Sequence, residues 1–253
     1  MMDDLQKASM WKRISALLFD AILLGIAVVL FAWALSAALG FDRHYNRLNA
    51  CYAQYEETYG VSFQLSLSEY EALTDAERET LLAAYDALSA DADANYAYQM
   101  MLQLSVLIAS LSILLGYGAL EFAVPLALKH GRTLGKKIFG LSLMQTNGVR
   151  VGAVQMFIRT FLGKYAIETM IPALILIMIY WNVIGVVGPV VLALIALLQL
   201  ILLITTRTNS PIHDLMAGTV VVDYASQMIF DSREAMIAYK EKKHAEAAAV
   251  APY

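Results

Sequence analysis

The chain of 253 residues holds one cysteine, Cys51, so no intrachain disulfide can staple it and oxidation neither builds nor breaks its fold. Charge is scarce: Asp, Glu, Lys and Arg make up 16% of the residues against 59% hydrophobic, too apolar for an ordinary soluble domain. Histidine is sparse and scattered at His44, His130, His213 and His244, and without a Cys or His cluster no metal or other cofactor is expected. Internal repeats are lacking, which weakens an inverted-repeat transporter reading. A nucleic-acid role has no support either, because the net charge of −4 is set by one acidic segment.

The most informative absence is local. Residues 129–164 contain no Asp or Glu, yet carry Lys129, Arg132, Lys136, Lys137, Arg150, Arg159 and Lys164. Residues 41–98 show the reverse, with eleven acids and three bases. Both segments lie between apolar runs near 14–39, 100–128, 166–182 and 184–205, each about the 20 residues needed to cross a hydrocarbon core. The bias predicts a multi-pass protein of the plasma membrane with the basic connection and both termini cytoplasmic and the acidic segment outside. The first run is long for a secretory leader and carries Asp20, so a retained span is expected.

The expected fold is therefore an all-α membrane protein of four transmembrane helices, with a helical extracytoplasmic insert and a short cytoplasmic β-hairpin plus interfacial helix. Residues 1–40 form the cytoplasmic start and first span, 41–98 the insert, 99–224 the membrane core and 225–253 a cytoplasmic tail. Within the insert, one helix is expected from about Asp42 to Tyr59, stopped by Gly60, and another from about Ser68 to Ser89. Ser68 to Glu71 and Thr74 to Glu77 have capping-box spacing. Leu73, Leu81, Leu82, Tyr85 and Leu88 form an apolar stripe that wants a partner. Asn147-Gly148 between short apolar runs signals the hairpin. Val154, Phe157, Ile158, Phe161 and Leu162 recur at helical spacing, as expected of a helix in the interface.

No Lys or Arg falls inside the four runs, but three acids do: Asp20, Glu121 and Glu168. Counting residues from the basic side places Asp20, Glu121 and Gln199 at one depth, about 12 Å in at 1.5 Å per residue. Glu168 is shallower and can pair with Lys164 at i, i+4 spacing. A charged carboxylate costs roughly 2.5–3.5 kcal/mol in mid-bilayer, so these groups must be protonated, paired, hydrated or bound to a cation. One reading is a pathway for protons and monovalent cations. The other is structural pairing, with Arg13 seven residues from Asp20 on the same helix face.

Other chemistry finds little footing, and no enzyme is expected. Gly131 to Lys137 is one residue short of a phosphate-binding loop between its glycines and has no Ser or Thr after the lysine. His213-Asp214 lacks an evident nucleophile.

Taken together, three blocks resemble the RDD family of membrane proteins, named for one arginine and two aspartates. Trp11-Lys12-Arg13-Ile14-Ser15-Ala16-Leu17-Leu18-Phe19-Asp20 resembles its opening signature, with Arg13 and Asp20 as the first two signature residues. Asp214, in Ser210-Pro211-Ile212-His213-Asp214, stands as the third. Gly131-Arg132-Thr133-Leu134-Gly135-Lys136-Lys137 resembles the middle block, followed by Ile158-Arg159. The resemblance covers about 8–40 and 100–224 and leaves 41–98 unexplained. It implies either cation/proton antiport, described for some members, or a noncatalytic accessory or scaffold that docks a membrane protein partner or another copy of itself. It also implies that Arg13 chooses between Asp20 and Asp214.

Overall fold

A computed structural model describes residues 8–250, leaving Lys7 and the side chain of His244 outside the described residues. In chain order the elements are α1 (Met10–Leu39), α2 (Phe41–Tyr59), α3 (Leu67–Ala72), α4 (Asp75–Ala90), α5 (Ala92–Ala127), α6 (Leu134–Ile138), β1 (Leu141–Gln145), α7 (Ala153–Tyr180), α8 (Val187–Thr205), α9 (Ile212–Ala217), β2 (Thr219–Asp223) and α10 (Arg233–Val250). Four of them, α1, α5, α7 and α8, are long and apolar enough to cross a membrane. The chain divides into two compact units, Val29–Ser112 and the remainder.

In the unit Val29–Ser112, glycines in the left-handed region set both ends of α2: Gly40 at φ 70° and Gly60 at φ 65°. The second expected helix is broken in two at Leu73. The break follows from two successive capping boxes. Thr74 with Glu77 is the expected one, while the other forms at Ser66 with Glu69 in place of Ser68 with Glu71. The apolar stripe resolves to Leu81, Ala84 and Leu88, with Leu82 and Tyr85 exposed. Leu88 joins Leu48, Ala94 and Ala97 in a small core flanked by Tyr52, Tyr55 and Phe63. Arg47 pairs with Asp93 at 2.6 Å, and Asp91 accepts the amide of Ala94 at 2.8 Å, capping α5.

In the larger unit the strand expectation needs correction. The Asn147-Gly148 turn forms, with Gly148 N donating to the Gln145 carbonyl, but beyond it only the Met144–Arg150 bridge is made. The real partner of β1 is β2, antiparallel, with Leu141 opposite Asp223 and Gln145 opposite Thr219. Period-2 alternation gives this sheet two apolar faces. Leu141, Leu143 and Val221 pack with Ala16 and Met156, whereas Met144, Val220 and Val222 pack near Ile229. Burial on both faces outweighs a two-residue turn signal. At the exposed end, Lys12 ties α1 to Asp223 at 2.8 Å.

A second correction concerns residues 154–164. They do not form a separate helix but run without a break into the third apolar helix, α7. Within α7, Ile158–Met170 is wound as a π-helix with widened turns, and α5 has a similar stretch at Gly118–Ala123. Such turns are rare and concentrate where a structure needs to re-aim side chains. Here they carry Glu121, Arg159, Lys164 and Glu168.

Candidate functional site

Arg159 is the centre of the polar cluster in the larger unit. Its side chain is 2% exposed, and its Nε donates to Asp214 Oδ1 at 2.7 Å. Its Nη2 lies 3.1 Å from His213 Nε2, and its Nη1 lies 3.6 Å from Glu121 Oε2. Lys164 pairs with the same Glu121 oxygen at 2.7 Å. Asp214 Oδ1 also accepts the hydroxyl of Thr219 at 2.9 Å, so the cluster reaches the first residue of β2. Buried charges persist when paired and hydrogen-bonded. Arg159 Nη1 and Asp214 Oδ2 are nonetheless among the buried charged atoms that lack a hydrogen-bond partner.

The other two acids serve the ends of short helices. Asp20 Oδ1 accepts the amide of Gly135 at 2.7 Å, and Asp20 Oδ2 accepts the hydroxyl of Thr133, the N-cap residue of α6. Glu168 Oε1 accepts the amide of His213 at 3.1 Å, while Gln199 Oε1 accepts that of Ile212 at 3.2 Å. These are first-turn amides of α9, whose N-cap, Pro211, has no polar side chain. Carboxylates from α1 and α7 thus satisfy free amides of two segments that lie outside the long helices. Arg13 does the complementary work, donating to the carbonyls of Asn209 at 2.8 Å and Thr208 at 3.4 Å beyond the end of α8.

Two glycines permit the approach. A Cβ on Gly135 would stand 2.5 Å from the Ala16 carbonyl, and one on Gly163 would stand 2.5 Å from His213 Cβ. Neither position has room for a side chain, which is why α6 can lie against α1 and α9 against α7.

His213 sits between an acceptor and a donor. Its Nδ1 lies 2.7 Å from Glu168 Oε2 and its Nε2 faces the guanidinium, so the network assigns a neutral ring protonated at Nδ1. Burial, with Arg159 adding to it, lowers its pKa against the pull of Asp214 and Glu168. Asp214 is held well below the usual carboxylate range; burial opposes this, and the Arg159 charge overrides it. The buried Lys136 ammonium is pushed down to about 8, by burial first and then by Arg159 and Lys164, with Glu121 and Asp20 pulling the other way.

The sequence-predicted residues are thus regrouped. Asp20 and Gln199 line one cavity of about 300 Å³ together with Arg13, Lys136, Glu168 and Asp214. Glu121 does not line it and stands behind Lys164. The expected i, i+4 pair of Lys164 with Glu168 is absent among the described residues: Lys164 goes to Glu121, and Glu168 goes to His213 and Gln199. In widened turns, residues four apart no longer stack. Arg13 forms an ion pair with neither Asp20 nor Asp214; backbone carbonyls take it instead. The sequence offers His213 only as a neighbour of Asp214 without an evident nucleophile. Its signal was its position next to Asp214, in a segment with no other cap for its first turn.

The profile of the RDD family matches residues 7–218, most of the chain. The chain belongs to the RDD family. Comparisons with curated proteins and with solved structures give no match. In this RDD membrane protein, the three residues that carried the resemblance do three different things. Arg13 binds carbonyls after α8, Asp20 caps α6, and Asp214 pairs with Arg159. The matched range also spans the acidic segment 41–98. Among the described residues, no group of three His, Cys, Asp or Glu is placed to hold a metal ion.

Proposed function

We propose that this RDD protein is a noncatalytic membrane accessory or scaffold, lying in the plasma membrane with the basic connection and both termini cytoplasmic. The acidic helical segment projects on the outer side, where it or the opposite basic face docks a membrane protein partner. The observation that carries the reading is the engagement of every acid in the cluster. Asp20 is held by Thr133 and Gly135, Glu121 by Lys164, Glu168 by His213 and Gln199, and Asp214 by Arg159 and Thr219. Carboxylates occupied in this way tie spans to the short helices and leave little for a passing cation.

A second reading, exchange of monovalent cations against protons, draws on the cavity that Asp20, Glu168 and Gln199 share. Proteoliposomes loaded with a pH-sensitive dye separate the two. The accessory reading expects no proton flux driven by Na⁺ or K⁺ gradients from well-folded protein. Cation-dependent flux that disappears in Asp20→Asn would replace it with the transport reading. The orientation has its own check, because Cys51 is the sole thiol and lies in α2. A membrane-impermeant maleimide should label it in intact cells, and labelling only after lysis would reverse the topology.

A further inference from the structure

The cavity that Asp20 and Gln199 share has a surplus of charged donors. Lys136 lines it with a buried ammonium whose hydrogen-bond partner among the described residues is the Thr133 hydroxyl, at a long 3.3 Å. An ammonium carries three donors, so two are left without acceptors. Among the described residues no carboxylate lies within 4.0 Å of it. Arg159 Nη1 reaches only Glu121 Oε2, at 3.6 Å and without a hydrogen bond, and Arg13 spends its donors on two carbonyls rather than on an acid. The acids that line the same space do not relieve this. Both oxygens of Asp20 and both of Glu168 are taken by uncharged donors, Asp214 Oδ1 is taken by Arg159 and Thr219, and Asp214 Oδ2, without a hydrogen bond, lies 3.7 Å from the His213 ring and not within 4.0 Å of Lys136.

A buried cation is ordinarily matched by an acceptor at close range, because desolvation otherwise goes uncompensated. The missing partner is therefore an anion, and the walls say what kind. Met10, Ile14 and Leu17 on α1 and Leu203 on α8 line the same cavity. Leu17 is 59% exposed on a helix long enough to cross a membrane, so the apolar side of the space faces the place where acyl chains lie. We propose that this cavity binds an anionic phospholipid, its phosphate accepting from Lys136 and its chains lying along Leu17 and Leu203. Arg13 adds a second positive charge beside the headgroup. The site is independent of whether the protein docks a partner or moves ions.

The test uses the purified, delipidated full-length protein and native mass spectrometry, titrating phosphatidylglycerol against phosphatidylcholine with the same chains. Phosphatidylglycerol should be retained in preference. Lys136→Gln should lose that preference, with affinity falling about tenfold or more, as the loss of one charge-assisted hydrogen bond implies. That variant should still fold, because it removes a buried charge that lacks a close acid. Leu17→Trp keeps the donors and crowds the apolar wall, so it should weaken phosphatidylglycerol while leaving any effect of inorganic phosphate on the melting temperature unchanged. Equal binding of the two lipids, or full retention by Lys136→Gln, overturns the proposal. Stabilisation by inorganic phosphate that equals the lipid's and ignores Leu17→Trp overturns the lipid as source and leaves only a free-anion site.

Discussion

Arg159 Nε and Asp214 Oδ1 lie 2.7 Å apart, with side chains 2% and 1% exposed, and this contact joins α7 to the segment after α8. Breaking a buried pair by removing one partner leaves the other charge uncompensated, at a cost of about 3–5 kcal/mol. Arg159→Met and Asp214→Leu should each lower the melting temperature in detergent sharply, and the double variant should lose much less than the two losses added. The same cycle run on Arg13 and Asp214 should show far weaker coupling, because Arg13 rests on the carbonyls of Thr208 and Asn209. Coupling of equal size would return Arg13 to the pairing with Asp214 that the family resemblance implied.

Gly135 supplies a second measurement. Its missing side chain lets α6 approach until the Asp20 carboxylate reaches its amide, and an added Cβ would meet the Ala16 carbonyl at 2.5 Å and Asp20 Cγ at 2.9 Å. A backbone carbonyl cannot swing aside. Gly135→Ala should therefore destabilise by about 1–3 kcal/mol, the usual cost of overpacking. Gly25→Ala is the control, since a Cβ there meets nothing within 4 Å and alanine is the better helix former. Equal melting temperatures for the two variants would mean that α6 does not need this close contact.

How much of this was legible beforehand depends on the range of the interaction. The four long helices were visible because burial in lipid acts on every residue of a window, and the αL stop at Gly60 because it is decided by one residue. The hairpin misled because Asn147-Gly148 reports only its own turn. The strand's true partner, β2, is 74 residues further on, from Gln145 to Thr219, and no local pattern reports that. Counting 3.6 residues per turn puts Arg159 off the apolar stripe of residues 154–162, and the π-helical winding of Ile158–Met170 changes that count. The signature blocks named residues but not their partners. Asp20 is bound to the Gly135 amide and the Thr133 hydroxyl, Arg13 to two carbonyls, and Asp214 to Arg159 and the Thr219 hydroxyl, and the backbone partners leave no trace in a sequence.

His213 offers a spectroscopic check on the cluster. Its ring is assigned as neutral and protonated at Nδ1, the nitrogen 2.7 Å from Glu168 Oε2. With its pKa lowered by burial, the folded protein resists the proton that an unfolded chain takes up near the ordinary value of about 6.5. Nitrogen-15 spectra of labelled histidine should show the Nδ1–H form persisting below the ordinary value, and stability should fall as pH drops below it. An imidazolium signal from His213 at pH 7 would mean that the ring is charged and that the network has been assigned wrongly.

Lys136 gives the opposite slope at the alkaline end. Its folded pKa of about 8 lies below the ordinary value for lysine, near 10.4. Below pH 8 both states hold the proton, and the folded state bears the full cost of burying the charge. Between about pH 8 and 10.4 the folded chain has released a proton that the unfolded chain still binds, so stability rises with pH across that window. The full rise would be on the order of 3 kcal/mol at 1.36 kcal/mol per unit. Delipidated protein should therefore melt higher at pH 9.5 than at pH 7.5 by a margin that Lys136→Gln removes, the difference between the two curves cancelling other groups that titrate there. A wild-type curve that runs parallel to the Lys136→Gln curve would show that the ammonium has a close acidic partner after all, and the donor surplus in the cavity would vanish with it.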